Sequence, residues 1–160
     1  MRQVSHLLDT EHRQALDLLG RVEHACLRAR PGVAPDPEFA RIAAAFCRLV
    51  EDDTGRHFDF EETELFPRME EAGEADIAGL LRDEHDAIRA VAAEVLPLAR
   101  AAAARTLDDA GMERLKRGVL EMVERQVAHI QKETMALLPL LDDLLDDETD
   151  GALCLAHASS

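Results

Sequence analysis

A histidine and glutamate pattern occurs twice in this sequence. The segment HFDFEETELFP runs from His57 to Pro67, and the segment HIQKETMALLP runs from His129 to Pro139. Aligned at an offset of 72 residues, the two segments share a histidine, a glutamate four places later and a closing Leu-x-Pro. On a helix, residues four apart project from the same face. Each segment can therefore present an imidazole and a carboxylate to one site.

A second repeated pattern precedes the first. The segment LLDTEH ends at His12 and the segment LLRDEH ends at His85, an offset of 73 residues. We therefore expect two tandem copies of one helical hairpin, and each copy has a lone histidine and a later His-x-x-x-Glu. This set suits two transition-metal ions, since imidazole binds iron, zinc and copper and a carboxylate can bridge two cations. The candidate metal ligands are His12, His57, Glu61, His85, His129 and Glu133.

Four long stretches with helical periodicity must position these residues. They cover roughly residues 3–29, 36–71, 75–104 and 108–145. Asp36 followed by Pro37 is a typical helix start, and Gly73 is a typical residue after a helix end. Pro67 lies in the last turns of the second helix and is expected to bend or end it, and Pro139 has the corresponding place in the fourth.

The short connections predict antiparallel neighbours, and the spacing then places the candidate ligands at one depth. His12 lies about 17 residues before the end of its helix, and His57 lies about 20 residues after the start of the next. The corresponding counts for His85 and His129 are about 18 and about 20. We therefore predict an all-α fold, an antiparallel up-down-up-down four-helix bundle of two αα repeats, over residues 1–145.

The last segment, residues 146–160, is acidic and then small and polar. We expect it to be a flexible tail. His157 and Cys154 lie in this segment and are not expected to bind a metal. Cys26, Cys47 and Cys154 are odd in number and widely spaced, so they form no disulfide framework, and a reducing cytoplasm is the expected compartment.

Composition excludes several classes of function. The formal net charge of −15 argues against partners such as nucleic acid or an anionic membrane surface. No apolar run approaches the roughly 20 residues of a membrane span, and the first residues lack the apolar stretch of a signal peptide. The sequence contains no tyrosine, so a tyrosyl-radical function is excluded.

The repeated lone histidine and His-x-x-x-Glu with its trailing Leu-x-Pro resemble the hemerythrin-like, or HHE cation-binding, domains over roughly residues 5–145. The resemblance implies a four-helix bundle with an oxo- or hydroxo-bridged non-haem di-iron centre. It further implies that His12 and His57 bind one iron, that His85 and His129 bind the other, and that the two glutamates bridge them. Zinc or manganese are possible substitutes for iron.

The sequence departs from the oxygen-carrying members of that family at one ligand. The carriers have two histidines four residues apart on the third helix, whereas Leu81 and Arg89 lie four residues either side of His85. The fifth histidine is missing, so the resemblance implies that both irons are five-coordinate and open to an exogenous ligand. This arrangement favours redox chemistry or sensing over reversible oxygen carriage.

Several other residues have both a functional and an ordinary interpretation. Glu11 and Glu84 directly precede candidate ligands and are either acceptors for imidazole N–H groups or solvated acids. Asp53 and Gln126 lie one turn before ligand positions and either line an access route or belong to the bundle surface. His24 lies about 120° around the helix from His12 and is not expected to be a ligand.

The leading functional hypothesis is a non-haem di-iron protein that binds, senses or reduces a small ligand (O₂, NO or peroxide) in a stress response. The alternative is a non-catalytic iron-binding or iron-buffering protein, and a weaker third is a structural zinc bundle. The sequence does not distinguish the physiological ligand, turnover from binding, the native metal or the oligomeric state.

Overall fold

The computed structural model describes residues 1–160 and contains five helices, which confirms the all-α prediction. Helix α1 spans Gln3–Arg28 and helix α3 spans Ala75–Ala103. Helix α5 spans Asp147–Ala158. Helix α2 runs without a break over residues 37–71, and helix α4 over residues 109–144. None of the five helices has an uninterrupted apolar stretch of the length that a membrane span needs.

Helices α2 and α4 are assembled from α-helical and wider π-helical segments. In α2 the α-helical segments are Pro37–Asp52, Phe58–Phe60 and Phe66–Glu71, and the π-helical segments are Asp53–His57 and Glu61–Leu65. In α4 the π-helical segment Glu133–Leu137 separates Asp109–Lys132 from Leu138–Leu144.

The first four helices form the predicted antiparallel bundle. Each packs against the next in the chain, and α1 also packs against α4, which closes the bundle. The connections at residues 29–36, 72–74 and 104–108 are short, so consecutive helices run in opposite directions.

The predicted helix starts agree with the capping contacts. Asp36 accepts a hydrogen bond from the backbone N–H of Phe39 at 3.0 Å, and Asp108 accepts one from Gly111 at 2.7 Å. A cap of this type typically stabilises a helix by about 1 kcal/mol. Gly73 follows α2 with φ of +92°, a left-handed conformation that glycine adopts without strain.

Two hydrophobic cores fill the bundle, and the candidate ligands lie between them. The large core has 20 buried residues, among them Leu19, Phe46 and Ile88, which lie on one side of the ligand layer along their helices. The small core has 13 buried residues, among them Leu8 and Leu81, each one turn before a candidate histidine. The polar layer is therefore enclosed by apolar side chains at both ends.

Of the two expected outcomes for Pro67, a bend or an end of the helix, the structure excludes the end, because α2 continues to Glu71; Pro139 likewise lies inside α4. A π-helical turn comes just before each proline, and its backbone bond runs over five residues, from the N–H of Phe66 to the carbonyl of Glu61. Because the ring of a proline clashes with a carbonyl four residues back in an α-helix, the wider turn lets the helix continue.

The prediction of a flexible tail at residues 146–160 was wrong for most of its length, because Asp147–Ala158 form α5. Asp146 caps this helix by accepting from the N–H of Thr149 at 2.7 Å. The buried carboxylate of Asp150 accepts from the N–H groups of Gln3 and Val4, both at 2.9 Å, at the start of α1. Composition within the segment does not reveal this order, since the order depends on contacts with α1.

Candidate metal centre

The structure brings all six predicted ligands to one layer of the bundle, although they come from all four long helices. None of them is more than 4% exposed to solvent. The six residues are His12 on α1, His57 and Glu61 on α2, His85 on α3, and His129 and Glu133 on α4.

The six side chains form two groups of four that share both glutamates. In one group, ligand atoms of His12 and His57 lie within 4.8 Å of each other and of both carboxylates. In the other group, the same holds for His85 and His129. Two of the three π-helical segments begin at Glu61 and Glu133, and the third ends at His57, so the widened backbone occurs where these ligands enter the layer.

The nearest ligand atoms are at contact distance across the layer. Nε2 of His57 lies 3.0 Å from Oε1 of Glu61, and Nε2 of His12 lies 2.9 Å from Oε2 of Glu133. Nε2 of His129 lies 2.6 Å from Oε1 of Glu133. Nε2 of His85 lies 3.5 Å from Glu61 and 3.6 Å from Glu133, between the two carboxylates.

Buried polar atoms without hydrogen bonds are concentrated in this layer. All four carboxylate oxygens of Glu61 and Glu133 and both ring nitrogens of His12 are buried and lack a hydrogen-bond partner, despite the short distances between them. Burial of an ionised carboxylate without compensation costs several kcal/mol or more. Cations between the two groups would satisfy these atoms, and a mixed imidazole and carboxylate set without thiolate is chemically suited to iron, zinc or manganese.

Comparison with known proteins agrees with this geometry. A sequence model of the family described as "Hemerythrin HHE cation binding domain" matches residues 3–141. The chain belongs to the hemerythrin family. A search of curated proteins finds no significant match. The family assignment makes this a cation-binding domain, and the metal bound by the family is typically iron.

In this hemerythrin domain, a carboxylate fixes the tautomer of one histidine in each group. Nδ1 of His57 lies 2.7 Å from Oε2 of Glu11, and Nδ1 of His129 lies 2.9 Å from Oε1 of Glu84. Because a carboxylate only accepts, Nδ1–H donates in both pairs and Nε2 is left free to bind a cation. Of the two interpretations that the sequence allowed for Glu11 and Glu84, the structure supports the acceptor role.

The two supporting carboxylates of the hemerythrin domain have different surroundings. Oε2 of Glu11 is 3.1 Å from Nε2 of His157, and its Oε1 accepts from Arg56 at 3.2 Å. Glu84 instead pairs with Lys132 at 2.5 Å and borders an open cavity of about 480 Å³. Sequence analysis missed His157, since a lone histidine in a short polar segment has no pattern that marks it.

The position of the missing fifth histidine is occupied by groups that cannot ligate. Leu81 is fully buried in the small core of the hemerythrin domain. Arg89 forms an ion pair with Glu62 and lies 5.4 Å from the centre of the Phe58 ring. The Phe58 ring also stacks on the ring of His85, with a centroid separation of 3.7 Å.

A polar pair spans the hemerythrin bundle one turn from the ligand layer, on the side of the large core. Nε2 of Gln126 donates to Oδ2 of Asp53 at 2.6 Å, which links α2 to α4 across the interior. Gln126 is buried, and its Oε1 has no hydrogen-bond partner. Burial raises the pKa of Asp53, although the Gln126 hydrogen bond opposes this shift. Asp53 and Gln126 are thus interior groups that face the layer.

The protonation of the metal-free hemerythrin site follows from its charges. Burial on its own lowers the pKa of His129, but the carboxylate of Glu133 raises it to about 9. The pKa of His57 is raised well above its ordinary value, because Glu61 and Glu11 outweigh burial. Burial opposes ionisation of Glu133, yet the facing histidines hold its pKa well below the ordinary value. Protons therefore occupy this site when no cation does.

Proposed function

We propose that this hemerythrin domain holds two iron ions joined by an oxo or hydroxo bridge. His12 and His57 would bind one ion, His85 and His129 the other, and Glu61 and Glu133 would bridge them. The observation that carries the proposal is that two buried groups of four share the same two glutamates. Their unpartnered carboxylate oxygens supply the negative charge that two cations need.

When bound, such a pair of ions supplies redox chemistry and open positions for a small ligand. We propose that the protein binds, senses or reduces O₂, NO or peroxide in a stress response. The side chains at the missing ligand position support this, since Leu81 and Arg89 cannot occupy a coordination position. The apolar residues of the two cores exclude bulk water from the ligand layer.

The chain itself provides the proton-holding and orienting groups around that ligand layer. Glu11 and Glu84 hold His57 and His129 in the tautomer that frees Nε2. Asp53 Oδ2 and the free Oε1 of Gln126 are the polar atoms next to the layer on the large-core side. Both oxygens accept hydrogen bonds, so they suit a small ligand that carries an O–H group, such as hydrogen peroxide.

A second candidate function is iron binding or buffering without turnover. The cavity beside Glu84 favours it, because Glu121 and Glu124 also border that cavity and Arg125 is the one basic residue there, so the lining is acidic on balance. Such a lining attracts cations, and Glu84, which borders the cavity, is hydrogen-bonded to His129 of the ligand layer. All three cysteines have free thiols, which is consistent with our proposal that the protein works in a reducing cytoplasm.

Metal analysis of the purified protein, followed by anaerobic addition of NO or O₂ to its Fe(II) form, tests these functions. About two irons per chain are expected. Turnover to N₂O or water would indicate an enzyme, and a stable adduct would indicate a binder or sensor. Loading without any reaction would favour buffering. A protein that binds no iron, or only one ion per chain, would contradict the di-iron proposal.

A further inference from the structure

Helix α5 lies outside the residues that match the family and packs over one half of the candidate centre. The family match ends at residue 141, whereas α5 spans Asp147–Ala158 and packs against α1. His157, in the last turn of α5, is only 4% exposed. Its ring lies 4.9 Å from the Phe60 ring and 6.5 Å from the His57 ring, measured between centroids.

The contacts of His157 define one neutral tautomer. Nη1 of Arg56 lies 3.0 Å from Nδ1 of His157, and an arginine can only donate, so Nδ1 accepts. Nε2 therefore carries the proton and donates to Oε2 of Glu11 at 3.1 Å. The same Oε2 accepts from His57 at 2.7 Å. Glu11 is thus held from two sides, by His157 and by Arg56, in the position that orients His57.

The other half of the centre has a looser support. Glu84, which orients His129, is held by Lys132, and the lysine side chain is 43% exposed. Glu84 also borders an open cavity, together with Glu121 and Glu124. A flexible, hydrated ammonium restrains a carboxylate less than a buried ring and a planar guanidinium do.

We propose that His157 is a positioning residue that holds Glu11, and through it His57, so that the cation position of His12 and His57 binds its ion more tightly than that of His85 and His129. This inference rests on the proposed function of the layer as a two-cation centre. A ligand that is already oriented loses less freedom on binding, and loss of such outer contacts typically weakens metal affinity by about 10- to 100-fold.

A third cation at this place is the competing explanation. Ligand atoms of Glu11, His57 and His157 do lie within 4.8 Å of one another. However, Arg56 already contacts both Glu11 and His157 with its guanidinium, at 3.2 Å and 3.0 Å. This positive charge satisfies Glu11 and repels a cation, so the group supports His57 and is not a site of its own.

Titration of the metal-free 160-residue chain with Co²⁺, followed by optical absorption and calorimetry, tests the inference. The unmodified protein should bind two ions in two steps of different affinity. His157→Ala should weaken the tighter step by about 10- to 100-fold and leave the weaker step in place. Lys132→Ala should weaken only the weaker step. His157→Gln should restore the tighter step, because its amide can donate to Glu11 and accept from Arg56.

Leu155→Ala is the matched control, because Leu155 lies on the same helix and is 72% exposed. It should leave both steps unchanged. Equal weakening of both steps by His157→Ala, or no change in either, would overturn the inference. If His157→Ala does not fold, two other measurements still test the inference. Two binding steps of equal affinity in the unmodified protein would overturn it, and so would a loss of the tighter step in Lys132→Ala. An unmodified protein that binds no Co²⁺ would instead refute the two-cation site.

Discussion

At the scale of single residues, the candidate ligands differ in the hydrogen bonds made by the atoms that do not face the centre. His57 and His129 each donate from Nδ1 to a carboxylate, whereas His12 has no hydrogen bond at either nitrogen. Glu133 contacts His12 through Oε2 and His129 through Oε1, and it is completely buried. Removal of this one carboxylate therefore affects both groups, and removal of one histidine affects a single group directly.

The first prediction concerns the ligand set. Glu133→Ala and His57→Ala should each abolish the dinuclear centre, because the first removes a carboxylate that both groups share and the second removes one imidazole of a pair. His24→Ala is the control, since His24 is exposed on α1. Metal content per chain is the measurement. Full iron content in His57→Ala, or equal loss from His24→Ala, would show that the ligands are assigned wrongly.

The second prediction concerns the missing histidine. Leu81→His places an imidazole one turn before His85 on the same helical face and should slow oxidation of the reduced protein in air. Any O₂ adduct should live longer, because a coordination position is then filled. Leu81→Gln is the matched control, with a polar side chain but no imidazole. Stopped-flow mixing with O₂ measures both. A long-lived O₂ adduct in the unmodified protein would return the assignment to an oxygen carrier.

At the scale of elements, α5 and the start of α1 depend on one another. Asp150 is buried and accepts from the N–H groups of Gln3 and Val4, which have no partner within their own helix. A carboxylate at this end of a helix also interacts favourably with the helix dipole. The contact therefore stabilises α1 and docks α5 at the same time.

The third prediction tests this contact. Asp150→Ala should lower the free energy of unfolding by about 1–2 kcal/mol, the usual cost of a lost N-terminal cap. Asp147→Ala is the control, because Asp147 is exposed and only pairs with Arg2 on the surface, where an ion pair contributes roughly 0–1 kcal/mol. Chemical denaturation of both variants measures the difference. Equal stability of Asp150→Ala and the unmodified protein would mean that α5 contributes no cap to α1.

At the scale of the whole molecule, the ligand layer joins four helices through a cluster of charges. The layer separates the large core from the small core. Bound cations would link all four helices at once. Stability and metal occupancy are therefore expected to be coupled.

The fourth prediction is that chelation of the reduced protein lowers its melting temperature by several degrees or more. The reason is that removal of the ions leaves the buried carboxylates with protonated histidines as their only counter-charge and removes the bonds that link the four helices. Differential scanning calorimetry before and after chelation measures the shift, and re-addition of Fe²⁺ should reverse it. A metal-free protein as stable as the loaded one would show that the bundle folds independently of the site.

The fifth prediction is a pH dependence of the metal-free protein. The folded pKa of His129 is raised to about 9 from an unfolded value of about 6.5, so its protonated form stabilises the fold fully below pH 6.5. That stabilisation is lost as the pH rises from about 6.5 to about 9, and one pKa unit corresponds to roughly 1.4 kcal/mol.

The metal-loaded protein should respond in the opposite direction, because protons compete with cations for the same nitrogens and carboxylates. Its melting temperature should rise, or stay constant, as the pH increases through the same window. Thermal melts of both forms between pH 6 and pH 9 provide the comparison. Parallel curves for the two forms would contradict a shared site for protons and metal.

The sequence by itself determined the four-helix bundle and the six residues of the ligand layer. Periodicity and caps are local, so Asp36, Asp108 and Gly73 marked helix ends within one or two residues. The repeated His-x-x-x-Glu has fixed helical geometry, so the structure brings its residues together as predicted. That they hold iron is our proposal.

Only the tertiary structure decided what surrounds that layer. Pro67 lies inside α2 because the π-helical turn Glu61–Leu65 precedes it. His157 of α5 contacts Glu11 of α1, which lies 146 positions away in the sequence. The pair of Asp53 and Gln126 likewise joins two helices that are not consecutive. Such contacts follow from packing between distant segments, and no local pattern encodes them.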